Sequence, residues 1–254
     1  TPYQPEASQG TLRTIYEYQT MIAELTGMDV ANASIYDSAS SLAEAVLMAT
    51  SVTARGEVVL ARGVNPLYRR VVATYCEGPG VRLRDAPSLD GVVDLDAARK
   101  LVGGKTAALV VQSPNFYGCL EDLAAAAEVA HAAGALLIVA SDPVNLGVLE
   151  APGRLGADIV VGDGQGLGVP LSFGGPYLGV FAAKQELVRR MPGRLVGATE
   201  HGETPEGGRR ALVHLARIGA HHGVHTDRET PDERRQREGR ERGTSRLVRR
   251  SGQL

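Results

Sequence analysis

Short, unbroken apolar runs separated by stretches of helical periodicity limit what this chain can fold into more than any other feature. Val58-Val59-Leu60, residues 107–111, Leu136-Leu137-Ile138-Val139 and Ile159-Val160-Val161 carry consecutive aliphatic residues without polar alternation. A strand with one wet face alternates, whereas one that is apolar on both sides is covered on both sides, as in a parallel sheet flanked by helices. Helical patterns lie between these runs. Residues 8–27 place Leu12, Ile15, Tyr16, Met21, Ile22 and Leu25 at helical spacing before a stop at Gly27, and a second helix runs from Asp37-Ser38 to Arg55-Gly56. Asn65-Pro66 opens a third through Tyr68, Val71 and Tyr75. Residues 95–102 and the alanine-rich 120–133 give two more, and Lys184 opens a charged one. Short strands are expected at 81–83 and 178–183. The class is therefore α/β with a mostly parallel sheet. In such sheets functional groups sit at the carboxyl ends of strands, here the loops 112–118, 141–147 and 162–175.

Composition divides the chain in two. Residues 1–196 carry 15 Lys+Arg against 20 Asp+Glu, whereas 197–254 carry 12 Arg and no Lys against 9 acids, with five of the six histidines. The second segment has little apolar periodicity. Its 229–250 stretch is Arg/Glu/Gly-rich and cannot bury enough surface to offset chain entropy, so the 197–254 tail is expected to be disordered. The overall balance, 43% hydrophobic with net charge -2, is that of a soluble globular protein and indicates neither nucleic acid nor membrane as a partner. No run of ~18 apolar residues could span a bilayer, and the polar opening Thr1-Pro2-Tyr3-Gln4-Pro5-Glu6 has no secretory-leader layout. Cys76 and Cys119 match neither metal-ligand spacing nor a disulfide framework, in keeping with a reducing, cytoplasmic setting.

Three motifs fail on inspection. Gly103-Gly104-Lys105-Thr106 ends like a phosphate loop, but Arg99 stands where the first Gly belongs and the segment leads into a strand instead of a helix. The glycines of 162–168 lack the third fingerprint Gly and run into Pro170, so a dinucleotide would find no helix N-terminus. His221 and His225 have helical metal-pair spacing without a supporting helix, and no metal site is expected.

Three segments resemble the glycine cleavage system P-protein. The opening Thr1 to Glu6 continues through Gln9-Gly10 and Tyr16-Glu17-Tyr18-Gln19 to Glu24-Leu25-Thr26-Gly27-Met28-Asp29-Val30. The second segment is Gln112-Ser113-Pro114-Asn115-Phe116-Tyr117-Gly118. The third runs from Pro152-Gly153 through Gly162-Asp163-Gly164-Gln165 to Pro170-Leu171-Ser172-Phe173-Gly174-Gly175-Pro176-Tyr177-Leu178-Gly179. The likeness covers about residues 1–196, the expected large domain. It implies a fold-type-I pyridoxal-phosphate-transferase-like architecture. It also implies an enzyme that decarboxylates glycine and passes the aminomethyl group to lipoamide on the H-protein. In many members of the family this enzyme is split into two related subunits, one of which bears the cofactor lysine.

An imine with pyridoxal phosphate requires a lysine amine. This chain has only Lys100, Lys105 and Lys184, none in an expected strand-end loop. Counted back from Pro170, the His-Lys pair of the lysine-bearing half corresponds to Gly164-Gln165, so Gln165 stands at the cofactor-lysine position. By resemblance this is the half without the cofactor lysine and without a catalytic residue of its own. It would act with the lysine-bearing subunit (glycine dehydrogenase subunit 2), which binds pyridoxal phosphate, and with the lipoylated H-protein. Weakened cofactor-site features are Asp142, where the family keeps a carboxylate for the pyridinium nitrogen, and Ser38 and Ser40, at a helix start that cradles phosphate. Asn115 and the opening loop are further candidates. The second reading is a non-catalytic homologue or a nonfunctional truncated product. An independent aminotransferase or desulfurase would need the missing lysine.

Overall fold

The computed structural model describes residues 4, 7–203 and 209–217, the last nine and 199–203 as backbone only. In chain order the elements are α1 (Gln9–Thr26), β1 (Val30–Ala31), α2 (Ser38–Thr53), β2 (Glu57–Ala61), α3 (Pro66–Glu77), β3 (Arg82–Ala86), β4 (Ser88–Leu89), β5 (Val92–Val93), α4 (Leu95–Leu101), β6 (Thr106–Gln112), α5 (Leu123–Ala132), β7 (Leu136–Ala140), β8 (Ile159–Asp163), β9 (Gly179–Ala183), β10 (Arg194–Glu203) and β11 (Arg209–Arg217). Seven strands form one sheet in the order β1-β9-β8-β7-β6-β2-β3. The five from β8 to β3 are mutually parallel. Only β9 is reversed, antiparallel to both neighbours. The reason is its connection: residues 164–178 do not cross back along the sheet, so β9 starts from the end at which β8 leaves, instead of the end from which a parallel strand must start.

Burial follows the apolar runs. Val58, Val59, Leu109, Val110, Leu137, Ile138, Ile159 and Val161 have no accessible surface, and the core is continuous from α2 through the sheet to α5. The helix starts are capped as their sequences require. Asp37 and Ser40 form a reciprocal capping box on α2, Asn65 accepts from Leu67 N before Pro66, and Asp94 and Asp122 cap α4 and α5. At the end of α1, Gly27 adopts the left-handed conformation with φ 68°, and a Cβ there would lie 2.9 Å from the Ala151 Cβ.

The expected helices and strands are present, with local differences. The alanine-rich helix expected over 120–133 starts at Leu123 and not at 120, because Asp122 is its cap. The charged segment after Lys184 is a 3-10 helix (Gln185–Arg190). The short strands β1, β4 and β5 carry too few residues to register as a pattern. Past the boundary expected at 196, the structure departs from the expectation of disorder over the stretches it describes. Residues 197–203 continue β10, which pairs antiparallel with β11. The 229–250 stretch and the His221, His222 and His225 cluster lie outside the described residues.

The β10–β11 ribbon is anchored to α1. Leu12 and Ile15 pack on Val196, and the buried Gln19 amide lies alongside the strand: its Nε2 donates to Val196 O at 3.0 Å and its Oε1 accepts from Val196 N at 2.9 Å. One side chain thereby satisfies two buried backbone groups. Gln19→Leu leaves both unpaired at nearly constant volume and should cost about 2 kcal/mol, read as a lower urea midpoint; an unchanged midpoint would contradict this anchoring.

Candidate functional site

Parallel strands present their carboxyl ends on one side of the sheet, and β2, β6, β7 and β8 each deliver a loop there. The loop after β6 is organised by Asn115. Its Oδ1 accepts from Tyr117 N and Cys119 N, each at 3.0 Å, and its Nδ2 donates to Gly91 O at 2.7 Å and to Glu121 Oε1 at 2.8 Å. Glu121 in turn accepts from Val93 N at 2.8 Å. Asn115 is therefore engaged on all sides in holding the loop against the β4–β5 hairpin, a structural task that its place in the sequence motif does not reveal. The rigid loop presents Phe116 and Tyr117 to solvent, their rings edge to face at 6.1 Å.

After β7, Ser141 Oγ donates to Ser113 O at 2.8 Å and ties the two loops together. The next residue, Asp142, is exposed, and its carboxylate accepts from Val144 N at 2.9 Å in a local turn. After β8, Asp163 accepts from Gln165 N at 2.9 Å, and Gln165 opens a short 3-10 turn. Gln165 also lines a cleft of about 440 Å³ with Gly166, Val169 and Leu171.

The amino end of α2 lies beside these loops because β9 begins directly against it. A Cβ on Gly179 would lie 2.6 Å from both Asp37 O and Ser41 Oγ, so glycine permits this approach. Ser38 is buried and hydrogen-bonds Tyr68 of α3. Burial raises the Tyr68 phenol above its usual range; the Ser38 bond opposes the rise, and Asp163, Asp37 and Asp142 add to it. The structure thus brings Ser38, Asp142 and Asp163 into the neighbourhood of Tyr68, while Ser40 belongs to the Asp37 cap and Asn115 to its own loop. Sequence reasoning passed over Tyr68, which reads as one more apolar position on a helix, and Asp163, which lies within a glycine-rich stretch. Among the described residues, none of Asp37, Asp142 and Asp163 has an ion-pair partner.

These groups do not fit pyridoxal phosphate. The Ser40 N–H that a phosphate would use accepts no guest while it donates to Asp37 Oδ1 at 2.7 Å, and the nearby carboxylates oppose a second anion. No amine is available either. Lys100 and Lys105 are exposed near the start of β6, and Lys184 pairs with the buried Asp158, which precedes β8 at the other end of the sheet. Among the described residues there is no cluster suited to a metal ion.

The family model described as the glycine cleavage system P-protein matches residues 1–216, so the likeness continues past the limit of 196 expected from the motifs. The probable glycine dehydrogenase (decarboxylating) subunit 1 of Desulforamulus reducens is 56% identical over 213 residues, which make up 84% of this chain and 47% of that protein. The solved structure of glycine decarboxylase (P-protein) of the glycine cleavage system, in inhibitor-bound form, superposes with a TM-score of 0.78 at 51% identity. It covers 85% of this chain and 47% of its own. A putative O-acetylhomoserine (thiol)-lyase from Campylobacter jejuni, with N'-pyridoxyl-lysine-5'-monophosphate, is 16% identical with a TM-score of 0.51. It covers 68% of this chain and 40% of its own, and shares the fold alone. The chain spans about half the length of the curated relatives it matches. The sheet order, the single reversed strand and the match over 1–216 agree: the chain belongs to the glycine cleavage system P-protein family, with the fold-type-I architecture of pyridoxal-phosphate enzymes.

Proposed function

We propose that this chain is a subunit of the P-protein without the cofactor lysine, working in the cytoplasm with a lysine-bearing subunit 2 that binds pyridoxal phosphate. The pair decarboxylates glycine and transfers the aminomethyl group to lipoamide on the H-protein. The observation that carries this reading is Gln165: family membership together with an amide at the cofactor-lysine position requires the imine-forming amine to come from elsewhere. The exposed apolar side chains of the strand-end loops support a protein partner on that side. Phe116, Tyr117, Leu171, Phe173 and Tyr177 are all more than half exposed, an apolar display that an isolated surface rarely carries. Both cysteines are free thiols, in keeping with a reducing compartment. Among the described residues no helix is long and apolar enough to cross a membrane.

This chain contributes the wall of a shared cleft. Asn115, through its loop, sets where Phe116 and Tyr117 meet the partner, and Gln165 with Tyr68 shapes the polar floor. The lysine-bearing subunit supplies the cofactor chemistry.

Co-expression with a lysine-bearing P-protein subunit, followed by co-purification and a glycine–bicarbonate exchange assay with lipoylated H-protein, tests the proposal. The pair should co-purify and exchange, and this chain alone should show no pyridoxal absorbance. Full exchange by the lysine-bearing subunit alone, or failure of this chain to join it, would favour the second reading, a non-catalytic homologue.

A further inference from the structure

A second cavity, of about 500 Å³, lies on another side of α2 from the strand-end site. Ser40 and Glu44, four residues apart, share one face of the helix. Ser38, which faces Tyr68, is two residues and about 200° around the axis from Ser40. The opposite wall is the segment leading from β1 into α2, fastened to the start of β10. Asn32 Nδ2 donates to Pro192 O at 3.0 Å, Asn32 Oδ1 accepts from Ser34 N at 3.0 Å, and Ala33 N donates to Arg194 O at 2.8 Å. Ser34 holds φ 99°, a left-handed conformation that a non-glycine residue adopts under constraint and that is concentrated at binding sites.

The lining is chemically two-ended. Glu44 supplies a carboxylate and Arg194 a guanidinium; Tyr36 and Tyr75 add aromatic rings, and Ser34 and Ser40 add hydroxyls. Glu44 and Arg194 each already take part in an interaction. Both keep capacity for more, because a carboxylate offers about four acceptor sites and a guanidinium five N–H donors. An ammonium group is matched by Glu44 and the tyrosine rings, and a carboxylate by Arg194 with the Ser34 hydroxyl, the Ser40 hydroxyl being held by Asp37. A ligand of a single charge would leave one of these ends unmatched.

We propose that this cavity binds a small α-amino acid as its zwitterion, at a site separate from the strand-end cleft and independent of the assignment of the chain as a P-protein subunit. The ammonium lies toward Glu44 and the carboxylate toward Arg194. Nothing covalent takes place there.

The test is calorimetric titration of the full chain with glycine and with L-alanine, using methylammonium and acetate as half-ligand controls. At least one amino acid should bind saturably and neither control should. Glu44→Gln and Arg194→Gln should each weaken binding at least tenfold, about 1.4 kcal/mol, with circular dichroism unchanged. Tyr36→Ala removes a side chain that is 87% exposed, so it leaves the core intact and should also weaken binding. Absence of saturable binding, equal binding of a half-ligand, or amino acid binding indifferent to all three substitutions would overturn the proposal. The last result would place the ligand elsewhere, including the strand-end cleft.

Discussion

The backbone ladder of five parallel strands, four of them (β2, β6, β7 and β8) buried on both faces, is the constraint from which the rest of this molecule follows. Parallel pairing requires a crossover after each strand, and the crossovers supply the helices that keep water from the sheet. It also gives every strand the same direction, so the loops after β2, β6, β7 and β8 meet at one edge. The reversed β9 then returns along the sheet and brings Gly179 against the first turn of α2, where a larger residue would collide with Asp37 and Ser41. The position of the Tyr68, Ser38 and Asp142 neighbourhood is thus a consequence of strand direction and one missing side chain.

What occupies that position has changed character relative to a cofactor site. A helix N-terminus attracts anions through its unpaired N–H groups and its dipole. In α2 the Asp37 carboxylate takes that role for itself, with Ser40 closing the box. The charged groups that act on the Tyr68 phenol are acids, and the backbone of Gln165 is fixed by Asp163. The local chemistry stabilises the loops, and the same loops present apolar side chains outward. A fold whose strand-end edge is well built yet carries no imine-forming amine is suited to completing a cleft with another protein.

Much of the fold was legible in the sequence because its signals are local. Aliphatic runs of three to five residues, the Asn65-Pro66 start and the Gly27 stop each act within a turn or two of chain. The direction of β9 was not legible, since it depends on which end of the sheet a loop returns to. The β10 and β11 strands were missed because the Arg- and His-rich composition after Gly197 outweighed the short apolar stretch 211–215, and because their support comes from Gln19, at a sequence separation of 177 residues. Within the site, the place of Gln165 in a loop just after a strand was readable from the aliphatic run before it. The partnership of Tyr68 with Ser38 and the full engagement of Asn115 were not, because both rest on contacts between elements that no periodicity encodes.

The central claim is that the cofactor amine belongs to the other subunit. Borohydride reduction of the co-purified pair, followed by mass-spectrometric mapping of the pyridoxyl group, addresses it most directly. The account predicts a single pyridoxyl-lysine, on the lysine-bearing subunit, and none on this chain. A pyridoxyl group on Lys100, Lys105 or Lys184 would contradict it.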